Sequence, residues 1–438
     1  MAFGSSGAGS DFAVTVHQNK HLPAGGRLVE AVLSVQVSEI LDAVPGGGAS
    51  SAEIIIVDCS ASMKSRHKFD AARQATVAAL QVLRDGAAFA VVGGSHRARS
   101  IFPPDGGMAI ADAGSRAAAV HALGRLRASG GTKMSRWLEL ARQTFDSHPA
   151  QLRHALLLTD GRNGDLRGEM DRALQDCQGV FTCDCRGVGT GWRVEELRRI
   201  ATALGGTVDI VPEPDGLARE FAAVMRSAMH KQVPELTLRV WTPVQASIRS
   251  LKQVAPTVED LAGRAAPRSA QIADYSTGAW GAGESREYHL VVETAPGEPG
   301  HEILAARASL VVPTPGGPAV VAQGLVTGAW TADAGLFAAL DPHVAHYTGQ
   351  AELAAAIRDG LAARRAGDRA GATALLGRAV QLAGQSGNAE AARLLAAVVD
   401  VDPVTGTAQL KQRIADADEM ALDARSTRTV MPRRRAGT

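Results

Sequence analysis

Between Ala52 and about His230, short apolar runs alternate with amphipathic segments of helix length, and this alternation constrains the fold more than any other feature of the chain. Strands are expected at Ile54–Val57, Ala88–Val92, Arg99–Phe102, Ala155–Leu158, Gly179–Cys185 and Thr207–Val211. Helices are expected at Lys68–Leu83, Ser115–Leu126, Met134–Phe145, Leu166–Cys177, Val194–Leu204 and Leu217–Met229. Their apolar positions keep helical spacing, as in Val194, Leu197, Ala201 and Leu204. Six strands interleaved with six helices make an α/β, Rossmann-like doubly wound domain with a largely parallel sheet.

The flanking segments have a different texture. Phe12–Val16 and Arg27–Val37 look like strands, and they have no place in the α/β sheet. After Gln232 the helices stop. Strands are expected at Glu235–Trp241, Ser247–Val254, Ser269–Tyr275, Glu287–Glu293, Ala306–Val312 and Ala319–Val326, separated by Pro/Gly-rich turns. That spacing suggests a small β-sandwich, which the two N-terminal strands complete, so that the α/β domain is an insertion. From Asp333 the chain is Ala-rich and helical, with Leu353, Ile357 and Leu361 on one helix face and Leu375, Ala379 and Leu382 on the next. A last helix is expected over about Ala408–Leu422. The expected organisation is N-terminal strands at 1–45, the α/β domain at 52–230, the β-sandwich at 231–332, helices at 333–424 and a disordered basic tail at 425–438.

Composition narrows the function. Lys plus Arg number 46 against 45 Asp plus Glu, a net charge of +1. This argues against a nucleic-acid binder or a polybasic membrane-surface protein, both of which need a basic surplus. No apolar run reaches the ~18 residues of a membrane span, and Met1–Ser10 shows no secretory signal. Four cysteines are too few for a disulfide scaffold, so a cytoplasmic location is expected.

The chemistry concentrates in three segments. Ile54-Ile-Ile-Val-Asp-Cys-Ser-Ala-Ser-Met63 is a buried strand ending in Asp58, with Ser60 and Ser62 following at alternate positions. Taken alone this is weak, because Ser62 can serve simply as a helix cap. Gly130-Gly-Thr132 precedes the Met134 helix, and Ala155-Leu-Leu-Leu-Thr-Asp-Gly161 is a second buried strand ending in Asp. All three loops fall on one edge of the sheet, where ligands sit in open α/β folds. Two carboxylates and three hydroxyls there make a hard, all-oxygen set suited to Mg²⁺, with Mn²⁺ or Ca²⁺ as competitors.

On these residues, Ala52 to His230 resembles the von Willebrand factor type A domain. The resemblance implies that Asp58, Ser60, Ser62, Thr132 and Asp160 form its metal-ion-dependent adhesion site. In the family the two serines usually ligate directly, the aspartates often act through water, and the threonine ligates directly in the high-affinity arrangement. The whole order of domains is similar to bacterial cytoplasmic proteins of this type. The resemblance implies a non-enzymatic adaptor whose ion captures a Glu or Asp of a protein partner. The alternative is an accessory subunit of a MoxR- or chelatase-type AAA+ ATPase.

Other features have plainer explanations. Cys183 and Cys185 point to one face of a strand as small core residues, and no second pair accompanies them. His343-Val-Ala-His346 lacks the glutamate of a metalloprotease motif, and Ser60 lacks a nucleophile elbow. Gly4–Ser10 resembles a phosphate loop only in composition. In the tail, Thr427 and Thr429 lie among arginines and are candidate phosphorylation sites for a Ser/Thr kinase, creating a mark for a phosphothreonine-binding, forkhead-associated (FHA) domain.

Overall fold

The computed structural model describes residues 11–38, 50–64, 66–314, 316–402 and 407–430, without the Arg66 side chain. The segments Gly4–Ser10, Pro45–Gly48 and Arg433–Arg435 lie outside the described residues. Two compact units form: one from the described residues of 1–45, 235–414 and 426–438, the other from those of 46–234 and 415–425.

The chain opens with two strands, β1 (Phe12–Asn19) and β2 (Leu28–Val37), which belong to the first unit. The second unit follows the expected alternation. Its strands are β3 (Ser51–Asp58), β4 (Ala88–Gly94), β5 (Ala98–Phe102), β6 (Leu152–Thr159), β7 (Thr182–Val188) and β8 (Val208–Val211). They line up in the order β8-β7-β6-β3-β4-β5. The pairings are parallel except that β4 pairs with β5 and with the short strand Ala109–Ile110 in antiparallel fashion. The helices are α1 (Arg66–Gln81), α2 (Ala113–Gly124), α3 (Met134–Asp146), α4 (Arg167–Cys177), α5 (Val194–Ala203) and α6 (Leu217–Met229).

All eight residues of β3 are buried, as expected of a central parallel strand covered on both faces. Ile55 and Val57 join Leu156 and Leu158 in a core with α1, α2 and α6. Ile54 and Ile56 alternate with them and so point to the opposite face. The chain leaves β3 for β4 on one side and returns to β6 on the other. The strand order therefore reverses at β3 and β6, and Asp58 and Asp160 stand where those two strands end.

The first unit is a sandwich with helices attached. Its further strands are β9 (Thr237–Trp241), β10 (Ala246–Ala255), β11 (Ile272–Ser276), β12 (Ser285–Thr294), β13 (Glu302–Val312) and β14 (Ala319–Thr331). One sheet runs β1-β2-β12-β10 and ends on the short strand Glu259–Asp260. The other carries β11-β9-β13-β14 between the short strands Ala265–Pro267 and His21–Pro23. The N-terminal segment thus pairs β2 with β12, a partner far along the sequence, in the register Ser285 with Gln36 through Glu293 with Leu28.

The helices expected together at 333–424 divide between the units. α7 (Pro342–Arg365), α8 (Arg369–Ser386) and α9 (Ala389–Val398) belong with the sandwich, where α7 buries Val344 and Tyr347 against Val32, Val254 and Ala255. The helix expected from Ala408 starts only at Asp416; Ala408–Leu410 is instead a strand paired with Val399–Val401. The resulting α10 (Asp416–Arg425) joins the α/β unit. It is held there by Arg198 to Asp423 at 2.7 Å and Arg425 to Asp209 at 2.8 Å.

The described part of the expected disordered tail is also in place. Arg425 ends α10, and Ser426–Val430 lies along the sandwich unit. The Val258 and Thr429 amides donate to the Thr427 and Pro256 carbonyls, and Arg428 forms a bridge with Thr257. Backbone pairing fixes a segment whose side chains give no periodic apolar signal.

Candidate metal centre

Asp58 is set by the last position of β3 and has no solvent exposure. Its Oδ1 accepts the Ser60 amide at 2.7 Å, and its Oδ2 accepts the Thr159 hydroxyl at 2.5 Å. Burial pushes the Asp58 carboxyl up to about 6 against these hydrogen bonds, and the charge of Asp160 adds to the rise. The Ser60 and Ser62 hydroxyls stand 2.8 Å apart on the turn after β3.

Backbone hydrogen bonds stitch the three loops together. The Ala61 amide donates to the Gly130 carbonyl at 2.8 Å, and the Ser129 amide to the Cys59 carbonyl at 2.7 Å. The Gly164 amide donates to the Thr132 carbonyl at 2.7 Å. The loop after β6 also caps α3, because Asn163 Oδ1 accepts the Met134 amide and Asp165 accepts the Ser135 amide and hydroxyl. These side chains satisfy amides that a helix start leaves without partners, and in doing so they fix Thr132 just ahead of it.

Gly161 shows how closely the loops converge. A methyl group at this position would lie 2.9 Å from Ser62 Oγ, 3.0 Å from Thr132 Oγ1 and 3.7 Å from Asp58 Oδ2. Oxygen atoms from the first two loops therefore crowd one point beside the third, and glycine leaves it open. Gly130 is constrained twice, by a φ of +82° and by the His96 ring 2.1 Å from where a Cβ would stand.

A cavity of about 410 Å³ opens here, lined by Ser60, Ser62, Lys68, Thr132, Asp160 and Arg162 with glycines between them. The Asp160 side chain is 1% exposed. Its Oδ2 accepts from Lys68 Nζ at 2.8 Å, while its Oδ1 is buried with no hydrogen-bond partner. A buried carboxylate oxygen left without a partner is costly, and a ligand in the cavity would remove that cost. Among the described residues no group of three His, Cys, Asp or Glu side chains could hold a metal ion. Here two carboxylates share the work with neutral hydroxyls, a donor set that fits a hard divalent cation.

Of the five residues singled out from the sequence, Ser60, Ser62, Thr132 and Asp160 line one cavity, and Asp58 is buried beside it, hydrogen-bonded to the Ser60 amide. Lys68, Arg162 and Thr159 were missed. In the sequence Lys68 reads only as the start of an amphipathic helix, and nothing local says that its ammonium turns back onto Asp160. The other sequence candidates lie elsewhere. Thr427 and Thr429 are in the segment along the sandwich, and Thr429 Oγ1 is buried without a partner. Cys183 and Cys185 are buried with sulfurs 4.0 Å apart. His343 stacks on His17 at 3.9 Å, whereas His346 bonds the Val430 carbonyl.

Fold and cavity together define a class: a doubly wound α/β unit with an oxygen-lined recess at its strand-reversal edge. Residues 52–210 match the model of the von Willebrand factor type A domain, and residues 381–426 match that of the von Willebrand factor type A C-terminal domain. The solved structure of a von Willebrand factor type A protein from Catenulispora acidiphila is 44% identical, with a TM-score of 0.91 over 98% of this chain and 99% of that one. The ArnB paralog VWA2 from Sulfolobus acidocaldarius shares the fold, with a TM-score of 0.60 and 14% identity over 95% of this chain and 98% of that one. Comparison with curated proteins gives no match. The chain belongs to the von Willebrand factor type A family, whose domains generally mediate protein–protein interaction. No described helix is long and apolar enough to cross a membrane.

Proposed function

We propose that the protein is a non-catalytic adaptor whose cavity holds a divalent cation, Mg²⁺ in the first instance, on Asp58, Ser60, Ser62, Thr132 and Asp160. The observation that carries this is the unpartnered, buried Asp160 Oδ1 on the loop whose Gly161 faces the Asp58, Ser62 and Thr132 oxygens. Bound there, the ion supplies an open coordination position for a Glu or Asp carboxylate of a partner protein. The chain's own residues prepare it. The Ser60 amide and Thr159 hydroxyl orient Asp58, and Lys68 takes Asp160 Oδ2 so that Oδ1 is left for the ion. Mg²⁺ is favoured over softer metals because every donor is oxygen; Mn²⁺ and Ca²⁺ compete for the same set.

Calorimetric titration of the full chain with Mg²⁺ tests this. Asp160→Asn keeps the shape of the side chain and removes its charge, so Mg²⁺ affinity should fall by ~10-fold or more while the fold is retained. In affinity purification, partner capture should be present in Mg²⁺ and lost in excess chelator. Capture that survives the chelator would refute the mechanism.

A further inference from the structure

The cavity is larger and more positively charged than capture of one carboxylate requires. Its volume of about 410 Å³ lies in the range of roughly 300–1,000 Å³ typical of pockets that enclose whole small molecules. Two cations line it, Lys68 and Arg162. Lys68 is committed to Asp160 at 2.8 Å, but among the described residues Arg162 makes no ion pair and is exposed at the mouth.

Three acidic side chains on or against the loop that carries Arg162 and the helix after it are turned to other tasks. Asp165 caps Ser135, Glu169 pairs with Lys133 at 3.1 Å, and Glu196 accepts the Asn163 amide at 2.9 Å. None of them neutralises Arg162. Within the site, the charges of Asp58 and Asp160 are balanced by those of Lys68 and Arg162. A divalent ion therefore leaves the loaded cavity with two positive charges, and one partner carboxylate cancels only one of them.

We infer that the cavity recognises an acidic pair on one partner segment: the first carboxylate goes to the ion and the second to the Arg162 guanidinium. A guanidinium is suited to this because its planar fork matches a carboxylate with two parallel hydrogen bonds. Lys68 supports the pairing by holding the net charge positive after the ion binds. This inference rests on the reading of the cavity as a cation site.

The test uses the full chain in saturating Mg²⁺ and fluorescently labelled peptides of Gly and Gln carrying either one Glu or two. In the two-Glu series the second Glu stands one, two or three residues after the first. Fluorescence anisotropy should show the best two-Glu peptide binding about tenfold more tightly than the one-Glu peptide. Arg162→Gln should erase that preference while the one-Glu peptide still binds, and Arg162→Lys should restore only part of it. Equal binding of all peptides, or a preference that persists in Arg162→Gln, would overturn the second position while leaving the ion site standing. Binding that chelator does not change, or no binding to any peptide in Mg²⁺, would overturn the ion reading and this inference with it.

Discussion

Gly161 carries no functional group, yet it controls whether the cavity exists. Its backbone does not need the left-handed region, so alanine is conformationally allowed there. The added methyl would press on the ends of Ser62 and Thr132, which are flexible side chains able to swing aside at little cost to the fold. Gly161→Ala should therefore leave the melting temperature in chelator nearly unchanged while weakening Mg²⁺ binding by ~10-fold or more. Unaltered Mg²⁺ affinity in this variant would mean that the ion, if bound, sits elsewhere. At this scale the sequence was informative for the oxygen donors, because Asp58, Ser60 and Ser62 follow a strand at fixed offsets. It was silent on Lys68 and Arg162. Both are ordinary surface-type residues whose roles depend on the direction in which a long side chain turns.

At the scale of elements, the edge of the α/β sheet opposite the cavity is tied by ions. His154 on β6 lies between Glu53 on β3, at 2.7 Å, and Asp184 on β7, at 3.1 Å. Burial works against a charged His154, but the Glu53 charge and the hydrogen bonds from both carboxylates raise it to about 10. Burial would push the Asp184 carboxyl up, yet the hydrogen bond and charge of His154, with Arg186 and the Thr207 hydroxyl, hold it well below the usual range. The Glu53 carboxyl is pushed up by burial, with His154 opposing the rise.

The consequence for stability follows from where each proton resides. The folded His154 keeps its proton at pH values where an unfolded histidine, with a pKa of about 6.5, has lost it. Its contribution is full below about pH 6.5 and declines as pH rises toward 10. The Asp184 contribution has the opposite sense: it is present above about pH 3.8 and is lost as pH falls below that. Thermal unfolding followed between pH 6 and 10 should show a decline attributable to this cluster, and the decline should flatten in His154→Gln. A variant with the same slope as the wild type would exclude the cluster as its cause. Periodicity found every strand involved, but no local pattern pairs Glu53 with His154. That pairing is a matter of register between β3 and β6.

At the scale of the whole molecule, the chain passes between its two units four times: between Ser38 and Ser50, and at 234/235, 414/415 and 425/426. The last passage leads into Ser426–Val430, whose bonds to Pro256, Val258 and His346 lie within the sandwich unit. Deleting residues 426–438 removes these bonds and the pairing of Arg428 with Glu390. At about 0.5–1.5 kcal/mol for each hydrogen bond lost, the sandwich unit should become less stable by roughly 2–4 kcal/mol. Calorimetry should then show one transition moved to lower temperature, and an unshifted transition would mean that the segment contributes nothing to folding. Thr429 sharpens the matter, since a phosphate on its buried hydroxyl is incompatible with the segment staying in place. Modification by a kinase at this residue accordingly requires the segment to be released first.

The α/β alternation, the sandwich strands and the three loops that carry Asp58, Ser60, Ser62, Thr132 and Asp160 are legible from the order of residues alone. These depend on local periodicity and on offsets from strand ends, which neighbouring residues encode. Which unit each late helix joins, how Ser426–Val430 is held, and where Lys68 places its ammonium emerge only in the folded chain. Those outcomes arise from contacts between residues far apart in sequence. Arg198 with Asp423, Thr257 with Arg428, and Lys68 with Asp160 are pairs whose partners no local pattern can select.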